Sequence, residues 1–238
     1  MTAVDRLNVK LFADGADRAG MLEMYQKPYI RGFTTNPTLM KKAGISDYEG
    51  FAHEILQEIP DRPISFEVFA DDFDEMERQA LKIRTWGENV YVKIPVSNTR
   101  RQMSYGLIER LSGAGVHLNI TAILTLEQVR EVAAAVQNGP ASVVSVFAGR
   151  IADTGLDPVP VMSEALEILG VAPQAELLWA SPREVLNIYQ ADAIGCHIIT
   201  ATNDILRKLS LSGKDLAEYS LETVQMFYDD ANRAGYTL

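Results

Sequence analysis

Short runs of aliphatic, β-branched and aromatic residues recur along the chain, and between them lie longer stretches in which apolar residues return every three or four positions. The short runs predict eight strands, over residues 9–14, 30–35, 64–70, 90–96, 117–124, 143–148, 176–180 and 196–201. The longer stretches predict amphipathic helices, as in FDEMERQALKIRTWG (73–87), RRQMSYGLIERLSGAG (100–115), TLEQVREVAAAVQNG (125–139), PVPVMSEALEILG (158–170) and PREVLNIYQADAIG (182–195). Several of these end in glycine, the residue that best tolerates a left-handed C-cap. Strands alternating with helices imply right-handed βαβ units and a parallel sheet. Eight such units in 238 residues fit a closed (β/α)8 barrel better than an open sheet. The glycine-rich phosphate loops of open nucleotide-binding sheets are missing: there is no G-x-G-x-x-G after the first strand and no G-x-x-x-x-G-K-[ST]. No linker, low-complexity tract or repeat beyond the βα alternation appears, so residues 1–238 read as one domain. DLAEYSLETVQMFYDDANRAG, about 215–235, reads as an extra helix on the barrel's own surface or on a neighbouring subunit.

Polar residues inside the predicted strands interrupt this pattern. In ENVYVKIPVSN the apolar run holds Lys93, which shares a face with Tyr91 and Pro95. By the same alternation Ser65 and Glu67 go together with Phe69, Asn119 with Thr121, and Ser145 with Phe147, while Asp14 closes the first strand and Asn36 the second. Alternate side chains point into a barrel, and catalytic groups gather toward the C-terminal ends of its strands. If these faces point inward, the mouth holds a lysine, two acids and several neutral hydrogen-bonding groups, a set a packed core does not use. Structural readings stand beside this one. Lys93 could snorkel or form half of a buried ion pair, Asp14 before Gly15 could be a turn or cap residue, and Asn36-Pro37 could start a helix. His117 and His197 begin strands and read as structural, His53 reads as a helix surface residue, and ADDFDEMER reads as a solvated loop leading into a helix.

Charge and composition narrow the partners. A formal charge of −10 argues against a nucleic-acid footprint, so an anionic ligand must be held by local cations. The single cysteine, Cys196, allows no intramolecular disulfide, no apolar run reaches the ~20 residues that span a bilayer, and the N-terminus has no signal-peptide core. The expectation is a cytoplasmic protein that meets neither membrane nor nucleic acid. No His, Cys, Asp or Glu spacing resembles a metal site, and no cofactor is expected.

GFTTNPT (32–38), VKIPVS (92–97), LNITAIL (118–124), VSVFAGRI (144–151) and WASPRE (179–184) resemble, in order, the motif series of the transaldolase family, including its short members related to fructose-6-phosphate aldolase. The likeness runs from ADGAD (13–17) through the eighth strand. It implies a (β/α)8 barrel with a Schiff-base lysine on strand four, here Lys93. A free lysine, with pKa about 10.4, is a poor nucleophile at neutral pH, and desolvation is the usual device that frees the amine of a buried one. Residue by residue, the resemblance implies Asp14 as the group exchanging a proton with the C4 hydroxyl of a ketose phosphate. It implies Glu67 and Thr121 around a shuttling water, and Asn36 and Asn119 on the three-carbon unit. It implies Ser145, Arg150 and Arg183 at the phosphate, and Thr35, Phe147 and Ser181 among the substrate-binding motifs. Sugar phosphates are the implied partners, with a homo-oligomer, in the short-chain type a decamer.

The aldolase branch typically has Tyr where Phe147 stands and Gln where Glu67 stands. Both residues here match the transaldolases, so transfer of a dihydroxyacetone unit is expected over simple cleavage. Pro182 interrupts the usual A-S-F-R/K pattern ahead of Arg183, and Val146 and Ala148 replace the Pro and Val of S-P-F-V-G-R. These departures leave open an altered anionic ketose, for example a sulfonated one. A barrel that only binds sugar phosphates is the remaining alternative.

Overall fold

A computed structural model describes residues 3–237. Eight parallel strands close into a barrel in chain order: β1 (Lys10–Asp14), β2 (Ile30–Thr34), β3 (Ile64–Glu67), β4 (Val90–Pro95), β5 (Leu118–Ile123), β6 (Ser142–Val146), β7 (Ala175–Trp179) and β8 (Ile198–Thr202). The fold is the expected (β/α)8 barrel, with a last helix, Leu216–Ala234, beyond it.

Alternation along the strands sorts the side chains into two hydrophobic layers. Outward-facing Phe66, Val92, Ile94, Leu118, Ile120 and Val144 pack with helix residues such as Met76, Ile83, Leu107, Leu111, Val129 and Val136 in one large cluster. The barrel interior has only a small separate cluster, Phe12, Val143, Leu178, Ala180 and Ile198, with Tyr91 and Phe147 against it. A fully buried aliphatic side chain contributes about 1.5–3 kcal/mol. The outer layer therefore carries most of the hydrophobic stabilisation and leaves the inner one free for polar groups.

Local chemistry sets the element ends. Asp17 caps Arg18–Tyr25 by accepting from Gly20 N at 2.7 Å, so the capping role open to Asp14 belongs to Asp17 instead. Asp72 in the acidic stretch caps Phe73–Ile83, and Asp71 holds the loop after β4 by accepting from the Thr99 backbone and hydroxyl. Gly115 and Gly195 take the left-handed C-cap conformation, with φ of +77° at each.

Three expectations need correction. β3 stops at Glu67: Val68 N still reaches Lys93 O on β4, but Phe69 N and Ala70 N both give their hydrogen bonds to Gln79 Oε1, leaving Phe69 65% exposed. The helix expected over 100–115 is Tyr105–Gly113; residues 98–102 form a tight turn on the Asn98 side chain, with Arg101 at φ +63°. The helix expected over 182–195 is Leu186–Ala193, since Arg183 N and Glu184 N turn to the Asn187 side chain. His117 and His197 serve the barrel's N-terminal side. His117 Nδ1 lies 2.9 Å from Ala141 O, and His197 Nδ1 accepts from Leu177 N at 2.9 Å.

The last helix buries none of its residues, and Leu216, Leu221, Val224, Phe227 and Tyr228 stand exposed along it. Among the described residues, no helix is long and apolar enough to cross a membrane.

Candidate active site

Two cavities occupy the barrel axis, one at each end. The N-terminal one, of about 410 Å³, is lined by Phe12, Ser65, Tyr91, Val143 and Ile198 and edged by the Lys10–Glu176 ion pair. The C-terminal one, of about 500 Å³, takes one side chain from each strand two residues further along: Asp14, Thr34, Glu67, Lys93, Thr121, Ser145, Leu178 and Thr200. The chemistry belongs to the second, where (β/α)8 barrels keep their active sites.

Lys93 stands on its floor, 7% exposed. Its Nζ lies 3.1 Å from Glu67 Oε2 and donates to the backbone oxygen of Thr35 at 3.1 Å. Cross-strand register sets Glu67 opposite Lys93. The buried ion pair considered as an alternative is thus present, and it faces a cavity. Glu67 is itself held at its backbone: the Tyr48 hydroxyl accepts from Glu67 N at 2.8 Å and donates to Glu67 O at 2.9 Å. Burial at the mouth pushes the Asp14 carboxyl above the usual carboxylate range, the nearby Glu67 charge adding slightly. The Lys93 charge and a hydrogen bond from Thr34 oppose this. That bond, Thr34 Oγ1 to Asp14 Oδ1, spans 2.8 Å.

β5 is irregular between Ile120 and Ile123, with Ala122 at φ +62°, and this kink turns both Thr121 and Ala122 toward the cavity. The Thr121 hydroxyl is buried and has no hydrogen-bond partner among the described residues. A buried hydroxyl left without a partner is rare and costly, and its place in the cavity that holds Lys93 suits a group that meets water or ligand. Ser181, a second cavity residue with positive φ (+60°), follows β7. Such strained non-glycine residues cluster at functional sites. Its carbonyl lies against Gly149, where a Cβ would come within 1.5 Å of the Ser181 oxygen, so only glycine admits this approach.

The remaining candidates divide. Asn36 lines the cavity while its Oδ1 caps Pro37–Lys42 by accepting from Leu39 N at 3.0 Å, so its amide NH2 is the end available to a ligand. Ser145, Phe147 and Arg150 line the cavity, with the Arg150 guanidinium 5.4 Å from the Phe147 ring centre. Asn119 is fully buried below the cavity wall, donating to Ser65 Oγ at 2.9 Å and accepting from Ser145 Oγ at 2.7 Å. Thr35 offers its carbonyl to Lys93, and its hydroxyl donates to Ser65 O at 2.8 Å. Arg183 does not line the cavity. It pairs with Asp153, Nε to Oδ1 at 2.8 Å with a second close contact through Nη2, and donates to Ser181 Oγ at 3.1 Å. That hydrogen-bonded guanidinium holds the Asp153 carboxyl below its ordinary range.

Thr34, Thr200 and Leu39 also line the cavity and were missed in the sequence. Strand alternation could have found the first two. Gly32 lies inward under the Phe12 ring, where a Cβ would meet it at 2.5 Å, so Thr34 and not Thr35 shares its face; Thr200 likewise follows inward Ile198 by two.

A closed parallel barrel with an ionisable, partly strained cavity at the C-terminal ends of its strands defines the class: an enzyme-type (β/α)8 barrel. Solved structures agree on the fold. Dihydrodipicolinate synthase from Rhodopseudomonas palustris is 15% identical with TM-score 0.57, covering 93% of this chain and 80% of that one. KGPDC from Streptococcus mutans is 10% identical with TM-score 0.55, covering 82% and 88%. The family model described as Transaldolase/Fructose-6-phosphate aldolase matches residues 11–238. A protein named probable transaldolase in Methanococcus maripaludis is 35% identical over 202 residues, 84% of this chain and 89% of that protein. One of the same name in Dehalococcoides mccartyi is 32% identical over 202 residues, 84% and 90%. The chain belongs to the transaldolase/fructose-6-phosphate aldolase family.

Proposed function

We propose that this protein is a transaldolase that moves a dihydroxyacetone unit from a ketose phosphate such as fructose 6-phosphate to an aldose phosphate through a Schiff base on Lys93. The observation that carries the reading is the Lys93–Glu67 pair at 3.1 Å in the same open cavity as the unpartnered Thr121 hydroxyl. A proton passed from Lys93 to Glu67 leaves a free amine beside a group that can return it. The amine attacks C2 of the ketose. Water held between Glu67 and Thr121 carries protons as the carbinolamine loses its hydroxyl, leaving an iminium. Asp14 then takes the proton of the C4 hydroxyl, the C3–C4 bond breaks, its electrons neutralise the iminium as an enamine, and the aldose phosphate leaves. Attack of the enamine on a second aldehyde, with Asp14 returning its proton to the new hydroxyl, reverses these steps.

Asn36 holds a hydroxyl of the three-carbon unit through its amide NH2, and Asn119 supports that end through Ser145. Arg150 receives the phosphate, joined by Arg183 when it exchanges Asp153 for the ligand. Phe147 carries no hydroxyl to help water protonate the enamine, which favours transfer over release. Incubation with fructose 6-phosphate, with and without aldose phosphates, tests this: transfer products only with acceptor support it, and sustained dihydroxyacetone release without acceptor refutes it in favour of aldol cleavage.

The engagement of Arg183 with Asp153 favours one second reading, a ketose whose far end carries a different anion such as a sulfonate. Turnover of such a ketose with none of fructose 6-phosphate would establish it.

A further inference from the structure

We propose that Thr200 is a positioning residue for this reaction: its hydroxyl donates to Thr34, Thr34 donates to Asp14, and this chain of two hydrogen bonds aims and polarises the carboxylate that takes the C4 proton. The inference rests on the transaldolase reading for the role of Asp14, but the chain itself rests on geometry.

Thr200 Oγ1 and Thr34 Oγ1 are 2.5 Å apart, and Thr34 Oγ1 is 2.8 Å from Asp14 Oδ1. The residues come from β8, β2 and β1, so the chain spans both neighbours of the strand that carries the acid. Direction follows from proton counting. A hydroxyl has one proton and an ionised carboxylate only accepts, so Thr34 spends its proton on Asp14 and the short contact is made by the proton of Thr200. Donation along such a chain strengthens the last bond beyond what Thr34 gives alone.

The same chain runs backwards. When Asp14 holds a proton it can donate to Thr34, whose own proton then turns to Thr200. No heavy atom moves, and the proton of Thr200 turns to the cavity that this residue lines, which suits a group that must take a proton and give it back. Packing alone does not ask for a hydroxyl there: Thr200 is 6% exposed, its backbone lies in the ladder opposite Phe12, and valine has its shape and its preference for strands. The charged groups that face Asp14 are Lys93 from β4 and Glu67 from β3, and neither touches Thr200 or Thr34 by hydrogen bond or ion pair. Substitution at Thr200 therefore reaches Asp14 through Thr34.

The experiment compares wild type, Thr200→Val and Thr200→Ser by two readouts. The first is a carboxyl-stretch infrared titration of the free protein, with the Asp14 band assigned by its loss in Asp14→Asn; it needs no substrate. The second is the pH dependence of the burst of glyceraldehyde 3-phosphate on mixing with fructose 6-phosphate, the half-reaction in which Asp14 acts. In Thr200→Val the Asp14 titration and the acid limb of the burst both move up by about half a pH unit, the share expected of part of one charge-assisted hydrogen bond. The burst slows by about three- to tenfold with little change in the donor concentration that half-saturates it. Thr200→Ser restores both. An unchanged titration in Thr200→Val, or a serine variant as impaired as the valine one, overturns the proposal. A wild type without a burst refutes the transaldolase reading instead, and the infrared titration still decides whether Thr200 acts on Asp14.

Discussion

Thr121→Val separates the needs of the fold from the needs of the reaction, because the two move in opposite directions. The Thr121 hydroxyl is buried and bonds to nothing among the described residues, so replacing it by a methyl group breaks no hydrogen bond described there. An unsatisfied buried polar group costs about 1–3 kcal/mol, part of which the substitution recovers. The β-branched shape that fits the kinked end of β5 is kept. A gain of about 1 kcal/mol is expected, and for a chain of this size that is a rise in Tm of about 2–4 °C. Activity moves the other way. Loss of a positioned proton-relay group costs about 100-fold or more in the step it serves, here carbinolamine formation and dehydration. Differential scanning calorimetry gives the first number, and the rate of borohydride-trappable adduct formation gives the second. A variant less stable than wild type by as much as 1 kcal/mol would show that the hydroxyl serves the fold, and an unchanged trapping rate would show that it serves nothing in the reaction.

Burial raises the Asp14 carboxyl above its ordinary value, so folding favours its protonated form. Its contribution to stability is full below about pH 4, the unfolded range, and is lost as pH rises through the raised value. Asp14→Asn is therefore expected to melt higher than wild type at neutral pH, the difference vanishing toward acid; an equal difference at every pH refutes the sign. Arg150→Ala should raise the donor KM by about tenfold or more while Asp153→Asn, by freeing Arg183, lowers it; steady-state kinetics in which both variants raise it would show that Asp153 holds Arg183 in its binding pose. The exposed apolar stripe Leu221, Val224, Phe227 and Tyr228 on the last helix is the surface that the expected homo-oligomer would cover. Light scattering should find an oligomer that Val224→Glu with Phe227→Glu dissociates, and a monomeric wild type contradicts this.

The barrel was legible in the sequence because both sides of the alternation are written into it: outward strand residues are almost uniformly apolar, and inward ones turn polar within the last three residues of every strand but β7, where Leu178 stands. That pattern marks Lys93, Glu67, Thr121 and Ser145 in the sequence itself. It runs past the end of β3, since nothing in VFA announces that the Gln79 side chain takes the backbone protons of Phe69 and Ala70. It overlooks Thr34 and Thr200 because threonine is an ordinary strand residue, and only the partner on the far side of β1 gives its hydroxyl a purpose. Arg183 could not be placed either. Whether it meets a ligand or Asp153 depends on a turn set by the Asn187 side chain, four residues on.

The central claim is that Lys93 bonds covalently to the donor. Intact and peptide mass measured after adding fructose 6-phosphate and then borohydride, with Lys93→Met as control, tests it most directly. A reduced three-carbon adduct on Lys93 alone is the expected result, since it requires both the Schiff base and the broken C3–C4 bond. Wild-type protein that stays unmodified across a panel of ketose phosphates and sulfonates, or an adduct that persists in Lys93→Met, contradicts the account.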